Sequence, residues 1–80
     1  MPRVRIEFTV EPFVDGHPGD HVVAAWSAVE GHGCELVTGP FSAETEVPER
    51  AAADIVADVV RAALSHGADR VSFQVERLDS

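Results

Sequence analysis

Between Arg3 and Val10 apolar and polar residues strictly alternate. Val4, Ile6, Phe8 and Val10 interleave with Arg5, Glu7 and Thr9. A period of two predicts a strand with one buried face. The alternation stops at Glu11-Pro12, because proline has no N–H to give to a ladder. Pro12, Gly16, Pro18 and Gly19 then predict a loop over residues 11–19. Asp20 is placed to cap a helix. Val22, Trp26 and Val29 fall at i, i+4 and i+7, with Val23 and Ala25 beside them, and Gly31-His32-Gly33 ends that helix.

Residues 34–38 predict a short second strand and Gly39-Pro40-Phe41 a turn. From Ser42 to Val47 the period of two returns, with Ala43, Thr45 and Val47 opposite Ser42, Glu44 and Glu46. Pro48 suits the first position of a second helix, where its missing N–H is not needed. Glu49 near the start of that helix, and Arg61 and His66 near its end, complement the helix dipole. Ala52, Ile55, Val56, Val59 and Ala63, with Val60 and Leu64 at its margin, form the expected buried face, and Gly67 closes the helix. Residues 70–78 predict a last strand, with Val71, Phe73 and Val75 on one face and Ser72, Gln74 and Glu76 on the other.

The resulting order, β-α-β-β-α-β, predicts an α+β fold of the ferredoxin-like kind over residues 1–80. Right-handed crossovers then make the first and third strands neighbours in a four-stranded antiparallel sheet, with both helices on one face. Arg5, Glu7, Thr9, Ser72, Gln74 and Glu76 are expected on the other face. This topology brings three connections to one end of the sheet: residues 11–20, the turn at 39–41, and residues 66–69. Loops on a rigid scaffold commonly carry function, so a site is expected there.

Length and charge narrow the function. Eighty residues, 8.6 kDa, allow one core. A domain of that size buries only about 60–65 % of its unfolded surface, which favours self-association into a dimer or tetramer. The six basic residues are all Arg, against 14 Asp plus Glu, giving a formal charge of −8. That sign argues against nucleic acid and against an anionic membrane as partners. Cys34 is the one cysteine, so neither an intrachain disulfide nor a cysteine-based zinc site is expected. The alternating start carries no signal-peptide pattern, and no apolar run approaches a membrane span. The expected location is the cytoplasm.

Candidate chemistry is sparse. His17, His21, His32 and His66 read as loop or surface residues, since Pro18-Gly19 keeps His17 and His21 off a common helical face. No metal and no catalytic residue is expected. Cys34 reads as a small core residue, and Gly31-x-Gly33 precedes a strand, which makes it a helix stop and not a dinucleotide loop. Glu44 and Glu46 read as a solvated or interfacial strand face, and Trp26 as a core residue. Phe13 and Phe41 each follow a proline in a loop at the same end, as a lid over the core or a platform for a ligand. Two alternatives stay open. One is a small dimeric ferredoxin-like enzyme, which needs a base or nucleophile of perturbed pKa. The other is a structural or regulatory interaction domain working through its polar sheet face.

Three segments carry a resemblance. Val4-Arg5-Ile6-Glu7-Phe8-Thr9-Val10-Glu11-Pro12-Phe13 resembles the opening strand and loop of small thiamine-binding proteins. Gly39-Pro40-Phe41-Ser42-Ala43-Glu44-Thr45-Glu46 resembles their central turn and third strand. Gly67-Ala68-Asp69-Arg70-Val71-Ser72-Phe73-Gln74-Val75 resembles their closing strand. The resemblance implies a cytoplasmic, ferredoxin-like homo-oligomer that binds thiamine or its hydroxymethylpyrimidine portion without chemistry, with no cofactor beyond that ligand. From position and chemistry, the candidate contacts are Glu11, Phe13, Phe41, Ser42, Glu44 and Thr45, with Thr9 a weaker one. The pyrimidine would stack on an aromatic ring, Ser or Thr would meet its edge, and carboxylates would face the thiazolium cation.

Overall fold

The computed structural model describes residues 2–14 and 16–78. Strand β1 spans Arg3–Glu11, helix α1 Asp20–Glu30, strand β2 Val37–Thr38 and strand β3 Ala43–Pro48. A 3-10 turn at Glu49–Ala51 leads into helix α2, Ala52–Ser65, and strand β4 spans Arg70–Arg77. The sheet order is β2-β3-β1-β4, all neighbours antiparallel. This is the ferredoxin-like α+β arrangement expected from the alternation of periods.

Strand β1 is central because its Val4, Ile6, Phe8 and Val10 must be covered. All four are buried, as are Ala43 and Val47 of β3 and Ile55, Val59 and Ala63 of α2. In register, Phe8 lies opposite Ala43 on one side and Phe73 on the other. The Phe8 and Phe73 rings sit 5.8 Å apart, centroid to centroid, at a tilt of 38°. On the far face, Arg5 lies between Glu46 and Glu76, at 3.6 and 3.1 Å.

Several local expectations are corrected. Asp20 does not cap α1. Gly19 stands at the N-cap, and its carbonyl accepts from the N–H groups of Val22 and Val23. The buried stripe of α1 is His21, Ala25 and Val29; Val29 is buried as expected, but His21 replaces Val22 and Ala25 replaces Trp26, so Val22 and Trp26 are half-buried and Val23 is exposed. Pro48 ends β3 instead of opening α2, because the 3-10 turn intervenes. The second strand shrinks to two residues. The Thr45 hydroxyl donates to the Glu35 carbonyl at 2.6 Å, so a side chain takes the place of the ladder there. Leu64 at the margin of α2 is exposed. Val75 is 53 % exposed although its partner Ile6 is fully buried. Ile6 has strands on both sides; Val75 lies on an edge. No helix among the described residues is long and apolar enough to cross a membrane.

Candidate functional site

At the end of the sheet where β1 runs out, two loops and the start of α1 enclose a cavity of about 280 Å³. That lies near the lower end for small-molecule sites, roughly 300–1,000 Å³, and suits a single small ring. Phe8, Val10 and Ala43 supply buried core residues to its lining. Val22 and Trp26 come from α1, Phe13, Val14, His17, Pro18 and Gly19 from the first loop, and Gly39, Pro40, Phe41 and Ser42 from the β2–β3 turn. Phe13 and Phe41 meet edge to face, 5.3 Å apart, and are 50 % and 65 % exposed. Two solvent-facing rings in contact across two loops bridge the cavity's two loop walls.

Local bonds set these walls. The Gly39 N–H donates to the Ser42 carbonyl at 2.7 Å and closes the turn that presents Phe41. His21 Nε2 lies 2.6 Å from the Pro12 carbonyl oxygen, tying the first loop to the buried side of α1. Gly19 is required beside it: a Cβ there would fall 2.5 Å from His21 Cε1. The third connection joins the same end, with the Asp69 N–H donating to the Glu11 carbonyl at 2.8 Å, but it contributes nothing to the cavity lining.

The sequence-derived candidates divide. Phe13, Phe41, Ser42 and Thr9 all line the cavity. Glu11 does not; its carboxylate lies 3.8 Å from Arg70. Glu44 stands opposite Glu7 on the far face of the sheet. Thr45 is buried, and its hydroxyl is engaged by Glu35. The described lining therefore contains no carboxylate. Reasoning from sequence missed Trp26, Val22 and His17 as lining residues, and His21 as the buried residue behind the wall. Ala25 and Val29 follow His21 at i+4 and i+8, and that spacing was the available signal.

The described residues include no group of three or more His, Cys, Asp or Glu side chains able to hold a metal ion. Away from the cavity, His32 Nε2 donates to Asp58 Oδ2 and Arg61 to Asp58 Oδ1, each at 2.7 Å. The Arg61 guanidinium first, and His32 second, hold the Asp58 carboxyl below its ordinary range. This tie joins the end of α1 to α2.

No protein-family model matches the chain, and no curated protein matches it either. Its fold matches solved structures. A domain of unknown function, DUF77, from Bacillus cereus superposes with a TM-score of 0.70 at 20 % identity, over 98 % of this chain and 76 % of the other. A candidate thiamine biosynthesis/salvage protein from Thermotoga maritima gives 0.70 at 24 % identity, over 99 % and 85 %. A Streptococcus pneumoniae protein gives 0.59 at 21 % identity, over 98 % and 87 %. At these identities the likeness establishes the fold.

Proposed function

We propose that the cavity captures the aminopyrimidine ring of thiamine or of free hydroxymethylpyrimidine, without making or breaking a bond. The observation that carries this reading is the lining itself. Phe8, Phe13, Trp26 and Phe41 surround a space for one small ring, and Thr9, His17 and Ser42 offer polar groups for its edge. A flat heteroaromatic ring with donors and acceptors on its rim satisfies both needs. The name of the Thermotoga maritima structure supports the same ligand class.

We assign the parts of the ligand from a described lining that has no carboxylate. The pyrimidine enters the cavity, and the thiazolium cation stays at the mouth, attracted by the overall charge of −8 and not by Glu11 or Glu44. We place the protein in the cytoplasm as a homo-oligomer that stores or presents the ligand. A ring held by stacking and edge hydrogen bonds reaches micromolar affinity, roughly −8 kcal/mol. Isothermal titration with thiamine and hydroxymethylpyrimidine tests this. Saturable binding of both is expected, and added salt should weaken thiamine more, since only its cation is screened. Absence of saturation by either ligand up to millimolar concentration would overturn the reading.

A further inference from the structure

The cationic side chains of this protein stand away from the cavity. Arg3, Arg50 and Arg77 lie at the opposite end of the sheet, where β1 begins and β3 ends. Arg5 is held between Glu46 and Glu76 on the far face, and Arg61 by Asp58. Arg70, at the cavity end, faces Glu11 across the β1–β4 ladder. The sequence has no lysine. Among the described residues, the lining therefore holds neither Arg nor Lys. The start of α1 borders the cavity through Gly19 and Val22, and a helix N-terminus favours anions. Here Asp20 already puts a carboxylate in that first turn. At the mouth stand the exposed rings of Phe13 and Phe41. Aromatic faces attract cations and repel anions.

We propose that this mouth filters ligands by charge, admitting the free alcohols and turning away their phosphate esters. The inference rests on ring capture in the cavity and adds its selectivity. In thiamine the thiazolium is attached through the same methylene that carries the hydroxyl of hydroxymethylpyrimidine. With the pyrimidine inside, that methylene points to the mouth. A phosphate on it brings a charge of about −1.5 to −2 to the place where the cation of thiamine sits. There it loses hydration at an apolar rim, meets no Arg or Lys among the described lining residues, and enters the field of a chain of formal charge −8. In an ester of thiamine the phosphate sits at the far end of the thiazolium, beyond the rim and in water. Its penalty is smaller and is the kind that salt screens.

The test is titration calorimetry of the full chain with hydroxymethylpyrimidine, thiamine and the phosphate ester of each. The ester of hydroxymethylpyrimidine should bind about tenfold or more weaker than the free alcohol, and much of that loss should persist in salt, because lost hydration is not screened. The ester of thiamine should lose less, and its loss should shrink as salt is added. Gly39→Arg puts a permanent cation in the wall. Gly39 has no positive φ, and a Cβ there meets the Ser42 carbonyl oxygen at an ordinary 3.6 Å. In this variant the ratio of the pyrimidine ester's dissociation constant to the alcohol's should fall about tenfold, whereas Gly39→Gln should keep the wild-type ratio. The wild-type ratio and its salt dependence stand as a test without either variant. Equal or tighter binding of the pyrimidine ester by the wild type, or a ratio indifferent to Gly39→Arg, would overturn the filter and leave ring capture standing. Absence of saturation by both free alcohols would overturn ring capture, and the filter with it.

Discussion

The imidazole of His21 hydrogen-bonds the carbonyl of Pro12 at 2.6 Å from a buried position at the start of α1. A carbonyl can only accept, so Nε2 carries the proton. One side chain thereby fixes the loop bearing Phe13 to the helix bearing Trp26, the two parts whose spacing sets the width of the cavity.

Removing this tie should loosen the site before it unfolds the domain. His21→Ala leaves the Pro12 carbonyl without its donor, at a cost of about 1–3 kcal/mol, and should weaken ligand binding as the loop relaxes. Gly19→Ala should act in the same direction, because its Cβ would collide with the ring. Denaturant melts and titration calorimetry on both variants check this; an unchanged affinity in the His21→Ala variant would separate the tie from the site.

Phe41 and Thr45 stand four residues apart on the same turn and strand, yet should behave oppositely. Phe41→Ala removes an exposed cavity wall, so binding should fall tenfold to a hundredfold, about 1.4–2.7 kcal/mol, with little loss of stability. Thr45→Val removes the donor to the Glu35 carbonyl and should destabilise by about 1 kcal/mol while leaving affinity nearly unchanged. Glu44→Gln, on the far face, should change neither by much. Calorimetry and thermal melts on the three variants make the comparison.

Burial separates the two members of the Phe8–Phe73 pair. Phe8→Ala, at 2 % exposure, should cost about 3–5 kcal/mol. Phe73, half-buried on the edge strand, should cost less, about 1–3 kcal/mol. A double-mutant cycle in urea should return a coupling of about 0.5–1.5 kcal/mol for the ring contact. Equal losses at both positions would mean that the edge strand is covered in solution.

Asp58 gives a pH dependence of known sign. Arg61 and His32 lower its folded pKa below the ordinary 3.8. Its contribution to stability is therefore fully present above that ordinary value and is lost as pH falls through the lowered one. Melting temperatures of the wild type and the Asp58→Asn variant, followed from about pH 7 to about pH 2, should differ most near neutrality and converge in acid. Added salt should shrink the gap, because the groups are solvent-exposed.

Periodicity was enough to read the order of elements and the two faces of the sheet, and right-handed crossovers made β1 and β3 neighbours. The first two rest on spacing along one segment, and strict alternation from Val4 to Val10 has only one half-buried solution. The shared end of the loops also followed, because connectivity alone dictates it. Phe13, Phe41 and Ser42 could be chosen on that basis, and all three line the cavity. The roles of Glu11, Glu44 and Thr45 could not be read this way. Whether a strand residue faces a cavity, a far sheet face or a neighbouring carbonyl depends on what lies across from it. Arg70, Glu7 and the Glu35 carbonyl come from segments remote in sequence or placed by the turn. The burial of His21 and Ala25 in place of Val22 and Trp26 has the same cause. A stripe read from hydropathy alone favours Val22 and Trp26, but helix packing buries His21 once the Pro12 carbonyl supplies its hydrogen-bond partner, and that partner exists only in the folded chain.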